Sequence, residues 1–221
     1  MINTMIESEE IKRGDKKNAI QRCAQIISDF FAPLLVPTYG MAIAMWLTPL
    51  RFLPEGTRLF ATLTICFITG VIPLVIIVFL KFKGLVSDNS ISRREQRPLP
   101  MLMVMCCYIV AALYLGYVHA PLWLRLFFYG AAIATAIASV ITLKWKISAH
   151  TTAMGGLVGL VVWLTLATSS DLVMMIVLSI VVIISGAVAT ARLILNRHTL
   201  MQVIAGLCLG FVCTFGFIML F

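Results

Sequence analysis

Charge is scarce in this sequence. Asp, Glu, Lys and Arg together make up 12% of 221 residues, and the acids number only 9, against about 25% charged residues in a soluble globular chain. With the acids goes any Asp-rich run, which excludes the classes that hold Mg²⁺ on clustered carboxylates: two-metal phosphatases, CDP-alcohol transferases and aromatic prenyltransferases. There is no P-loop and no acidic pair of the transporter kind inside the apolar runs. The six cysteines, Cys23, Cys66, Cys106, Cys107, Cys208 and Cys213, show neither CxxC nor Cys/His metal spacing and read as small buried hydrophobes. The first 21 residues mix acids with bases and lack the basic-apolar-small order of a cleavable signal peptide, so that segment is expected to stay on the chain.

What is present is apolar. Hydrophobic residues make up 61% of the chain and the mean hydropathy is +1.03. Since a bilayer-spanning helix takes about 20 such residues, the fold class expected is an all-α integral membrane protein, a polytopic helical bundle of six or seven transmembrane helices. Spans are placed near 26–48, 58–80, 100–118, 122–142, 152–168, 172–191 and 200–221. Seven is the preferred count. Six is the alternative. The weak points are the first span, broken by Pro33 and Pro37, and the third and fourth, joined by the short turn Tyr117–Pro121, which are either two full spans or a shallower hairpin. Residues 1–25 are read as a polar segment with an interfacial amphipathic helix, on which Ile20, Cys23, Ala24, Ile27 and Phe31 recur at helical spacing. Residues 26–221 are read as a single transmembrane domain. Gly155-xxx-Gly159 and Gly206-xxx-Gly210 suit close helix packing, Ser169-Ser170-Asp171 reads as a helix N-cap, and His119 reads as a lone loop histidine.

The net charge of +8 is distributed unevenly. The N-terminal segment and the connections 81–99, 143–151 and 192–199 share one side by parity and hold 14 of the 17 Lys and Arg. The other side has only Arg51, Arg58 and Arg125. The positive-inside rule puts the rich side in the cytoplasm. No nucleic-acid partner is needed to explain the charge.

Three polar segments on that side bring arginine, histidine and serine to the membrane boundary: SRREQRPLP (92–100), KWKISAHTT (144–152) and ARLILNRHTLMQ (191–202). Flanking anchors account for Lys81, Lys83, Lys144 and Lys146. They account less well for Ser148, His150 and His198. Ser148 and His150 precede or open a span, where unpaired backbone N–H groups favour an anion. Asn196 is expected to break the helix, so that Arg192 ends one span and His198 begins the next. His198 and Gln202, four apart, share a helical face.

In order and internal spacing the three segments resemble a divergent form of the tripartite signature KxxxxxxRP, PSGH, SRxxxxxHxxxD of the type 2 phosphatidic acid phosphatase superfamily, the lipid phosphate phosphatases. Arg97-Pro98 matches RP, with Ser90 at the lysine position and Arg93 or Arg94 as substitute cations. Ile147-Ser148-Ala149-His150 keeps the serine and histidine of the second motif. Arg192 and His198 stand at the spacing of the third, with Ala191 for the leading serine and Gln202 for the final aspartate. The resemblance covers about residues 81–221.

It implies a metal-independent, cofactor-free hydrolase of lipid phosphomonoesters or pyrophosphates, working through a phosphohistidine in a bacterial inner membrane. His198 would be the nucleophile and His150 the general acid. Arg97, Ser148 and Arg192, with Arg94, would hold the phosphate. Gln202 would orient His198 without supplying the charge of a carboxylate, and the replacement acids considered are Asp88, Glu95, Glu7, Glu9, Glu10 and Asp15. The partner implied is a lipid phosphate substrate. A lipid phosphotransferase, or a phospholipid binder or transporter that has lost turnover, are the alternative readings.

Overall fold

The structure, a computed structural model, describes residues 18–86, 94–168 and 171–221, and all regular structure among these residues is helical. Residues 18–30 form α1. The remaining helices are α2 (Val36–Leu47), α3 (Glu55–Cys66), α4 (Ile72–Phe82), α5 (Pro98–Tyr117), α6 (Leu122–Thr142), α7 (Ala149–Ala167), α8 (Leu172–Ile194) and α9 (Leu200–Leu220). A single π turn, Phe67–Val71, joins α3 to α4, making one continuous 28-residue helical segment. The cause is Pro73, which has no N–H to give to residue 69 and whose ring crowds that carbonyl. The wider turn takes up the mismatch without breaking the helix.

Among the described residues, six helical segments are long and apolar enough to cross a membrane: Glu55–Phe82, Arg94–Tyr117, Leu122–Thr142, Ala149–Ala167, Leu172–Ile194 and Leu200–Leu220. The protein is thus an all-α polytopic membrane bundle. The expected third and fourth spans are full-length helices of 20 and 21 residues. The first expected span, 26–48, is corrected. It divides into the end of α1, a non-helical stretch at 31–35 and the 12-residue α2, which is too short to qualify alone. Pro33 and Pro37 lack the N–H that a helix arriving from α1 would need, and Pro37 instead sits in the first turn of α2, where that N–H is not required. Carbonyls freed at the break find donors, because Tyr39 Oη donates to the Phe30 carbonyl at 2.7 Å and Tyr108 Oη to that of Pro33 at 3.4 Å.

The most extensive packing is between α7 and α9, with α6 against both α5 and α9. Its basis is glycine. A Cβ on Gly206 would lie 2.8 Å from the Ser148 carbonyl oxygen, one on Gly210 would collide with the Thr152 carbonyl, and one on Gly155 with that of Leu207. Since the paired numbers rise together, α7 and α9 run parallel, backbone on backbone, as small-xxx-small pairs permit. Large apolar side chains such as Phe60, Leu63, Phe79, Val182, Ile183 and Met219 remain exposed, which is the surface that lipid solvates.

The cysteines depart from expectation. Cys107 is buried, but Cys23, Cys106 and Cys208 are exposed and Cys66 and Cys213 are half-buried; in a bilayer an apolar thiol has no need of the core. Asp171 caps α8, accepting from the Val173 N–H at 3.4 Å; Ser169 and Ser170, the rest of that expected cap, lie outside the described residues, as do Arg93, Ser90 and Asp88 and the acids Glu7, Glu9, Glu10 and Asp15.

Candidate functional site

The connections into α5, α7 and α9 meet at one end of the bundle. Arg97 caps the start of α5, Ser148 caps α7, and Asn196, with φ at 50°, turns the chain sharply between α8 and α9. Asparagine tolerates this left-handed conformation better than most residues. The turn lets Arg192, in the last turn of α8, and His198, just before α9, approach one space from two helices.

That space is a cavity of about 420 Å³. Arg97, His150, Arg192 and His198 line it, together with Lys146, Arg197, Gln25, Ser28 and Asp29. Two of its arginines are deeply set, Arg97 and Arg192 each being 9% exposed. The Arg97 Nη1 donates to the Ile147 carbonyl at 3.4 Å. Arg192 Nη1 donates to Ser28 Oγ at 2.6 Å, while its buried Nε has no partner among the described residues.

Hydrogen bonding sets the tautomers of the histidines. Gln202 Oε1 accepts the Thr199 backbone N–H at 3.3 Å and lies 3.1 Å from His198 Nδ1. An oxygen that can only accept requires the proton on Nδ1, which leaves the His198 Nε2 lone pair available. His150 Nε2 lies 3.2 Å from the Ser28 carbonyl, and by the same reasoning carries a proton. One histidine therefore offers a lone pair and the other an N–H.

His198 is 8% exposed. Burial, and then the positive charge of Arg97, push its pKa down to about 4, partly opposed by the Gln202 hydrogen bond; Arg192 and Lys146 add to the downward pressure. It is neutral at ordinary pH, as a nucleophile must be.

Two expected phosphate ligands stand elsewhere. Ser148 is fully buried and does not line the cavity. Its Oγ faces the Thr151 N–H at 3.5 Å, and its carbonyl takes the hydroxyls of Thr151 and Thr152. Arg94 turns outward, donating to the Lys144 carbonyl at 2.6 Å and pairing with Glu95 at 3.6 Å. Glu95, considered as a replacement carboxylate, is thereby engaged away from His198. The residues that sequence reasoning passed over are Lys146, read as an anchor, Arg197, and the α1 group Gln25, Ser28 and Asp29. Asp29 is the one carboxylate lining the cavity among the described residues, and it accepts from Gln25 Nε2 at 2.7 Å. The sequence pattern puts Gln25 off the apolar face of the interfacial helix and leaves Ser28 and Asp29 at the start of the first expected span, 26–48; nothing in the local pattern ties Ser28 to His150 and Arg192, 122 and 164 positions away.

Comparison of the chain with protein-family models, with curated proteins and with solved structures found no match.

Proposed function

We propose that the protein is a lipid phosphate phosphatase that uses a phosphohistidine. The observation that carries this reading is the convergence on one membrane-boundary cavity of two buried arginines, a neutral histidine with a free Nε2 and a second histidine with a protonated Nε2. Arg97 and Arg192 would hold the phosphoryl oxygens, since guanidinium binds phosphate bidentately and keeps its charge. His198 Nε2 would attack phosphorus in line, forming a P–N bond as the P–O bond to the lipid breaks. His150 would take up a second ring proton beside the bound phosphate dianion and, as the imidazolium, give one proton to the leaving alkoxide, returning to the neutral ring. Water would then attack the phosphohistidine, giving its proton back to His150 and releasing inorganic phosphate.

The substrate is an amphiphile whose headgroup reaches the boundary while its hydrocarbon stays within apolar surroundings. By its charge distribution the site faces the cytoplasm. A second reading, a phosphate-holding binder without turnover, has the amide at Gln202 in its favour, because an amide orients His198 without offsetting its developing positive charge.

The test is phosphate release by detergent-purified protein with EDTA present, over a panel of lipid mono- and pyrophosphates. Release that His198→Ala reduces by a factor on the order of 10⁴ supports the phosphatase. Release from no substrate, with retained phosphate binding that Arg192→Ala abolishes, supports the binder.

A further inference from the structure

The cavity does not end at its cationic mouth. On α5 its lining runs from Arg97 to Tyr108, and on α6 from Ala138 to Phe127, in each case about 16 Å along the helix axis. The walls between are mainly small or apolar, Ala131, Ala134, Ala153, Gly156, Val104 and Ile77 among them, with Thr135, Thr152 and Thr214 interspersed. At the inner end stands Phe127, 2% exposed, its ring so close to α2 that a Cβ on Gly40 would lie 2.8 Å from its Cζ. At the outer end the buried Arg192 Nε lacks a partner among the described residues. A charged mouth above a mainly apolar shaft is the shape of a lipid with its head up.

We infer that the cavity is a chain pocket, which takes one hydrocarbon chain of a lipid phosphate into the bundle with the phosphate at Arg97 and Arg192, and that Phe127 sets the longest chain accepted. This rests on the phosphate-site reading above and adds the substrate class: single-chain lipid phosphates of about one leaflet's length. The depth of about 16 Å matches half of a hydrocarbon core about 30 Å thick. A pocket of about 420 Å³ falls within the range of about 300–1,000 Å³ that encloses small ligands. Moving a chain from lipid into this shaft gains little by transfer, since both surroundings are mainly apolar. Selection comes instead from dispersion contacts as the shaft fills, and a chain that overruns Phe127 must fold back or displace the ring.

The experiment uses the whole chain in detergent and two graded series of ligands, straight-chain alkyl phosphonates and the corresponding alcohols, and reads the shift in thermal midpoint. With phosphonates the shift should grow with chain length and then level off or fall. In Phe127→Ala that break should move to longer chains, and in Ala134→Leu to shorter ones. Phe127→Leu, which keeps an apolar side chain at the floor, serves if the alanine variant does not fold and should move the break in the same direction. Shifts independent of length, or a break that no substitution moves, would overturn the chain pocket while leaving the phosphate site intact. A length break with the alcohols and no added stabilisation from the phosphonate group would keep the pocket and overturn the phosphate site. No shift with either series would overturn both.

Discussion

The Arg192 guanidinium donates to the hydroxyl of Ser28 at 2.6 Å, across 164 residues of chain, and the Ser28 carbonyl takes the Nε2 proton of His150. Ser28 thus holds one donor of the Arg192 guanidinium, whose Nε stays without a partner among the described residues, and the Nε2 N–H of His150. A phosphoryl oxygen that takes both Arg192 Nε and Nη1 as a bidentate pair must displace the hydroxyl. Ser28→Ala should therefore tighten inhibition by inorganic phosphate or vanadate by roughly tenfold, reflecting the ~1.5 kcal/mol of a hydrogen bond to a charged group. An unchanged or weakened inhibition constant would show that Ser28 helps to build the site.

Gln202 Oε1 serves His198 Nδ1 and the Thr199 N–H together, so its length matters as much as its chemistry. Gln202→Glu keeps the reach and adds the charge, and should raise kcat at least roughly tenfold, within the ~10⁴ span that separates carboxylate from amide in hydrolytic triads. Gln202→Asp is shorter and should gain less. A fall in kcat for both, measured at saturating substrate, would mean that catalysis depends on the amide.

The depressed pKa of His198 has a consequence for stability. The unfolded chain binds a proton near 6.5, the folded one only near 4, so in that window the unfolded state holds more protons and stability falls as pH falls. Thermal midpoints should drop between pH 6.5 and 4 more steeply in the wild type than in His198→Ala. Parallel curves would remove His198 as the source.

The α7–α9 glycine seam predicts a penalty unrelated to chemistry. Gly210→Ala would set a methyl group against the Thr152 carbonyl, and a backbone neighbour cannot rotate away. Overpacking of this kind costs about 1–3 kcal/mol. Because the seam also sets Ser148 against Gly206, and Ser148 N–H bonds the Gln202 carbonyl at 3.4 Å, phosphate release should fall together with the thermal midpoint. By contrast Gly216→Ala, which meets nothing, should leave both within error.

The six long helices are legible in the sequence because each apolar run is about as long as the hydrocarbon core is thick. The first segment is not, because composition registers Ile26 to Thr48 as apolar without registering that Pro33 and Pro37 divide it. In the site, Arg97, His150, Arg192 and His198 come together as their motif order suggests. Ser148 and Arg94 do not join them, since a serine preceding a helix can spend its oxygen on the helix's own N–H, and an arginine beside Glu95 has a nearer anion. Ser28 and Asp29 were beyond reach for a different reason: their role depends on where α1 lies against the bundle, which no local pattern encodes.

The 12 residues of α2 bear on how the chain enters its membrane. A segment of that length, preceded by an unwound stretch whose carbonyls rely on Tyr39 and Tyr108, has no stable place in lipid until those donors and the faces of α6 and α7 are present. Among the described residues, Glu55–Phe82 is the first stretch that the bilayer can take up unaided. Biogenesis therefore starts downstream of the N-terminus and returns to it. In truncated chains ending after Phe82, with Cys23 replaced by alanine, an Ala24→Cys thiol, at a position 2% exposed in the assembled bundle, should react with a water-soluble thiol reagent as fast as it does in unfolded peptide, and in the whole chain it should be protected. The helix that carries Ser28 and Asp29 is the last part to settle, and it completes the polar mouth only on a bundle that has already assembled.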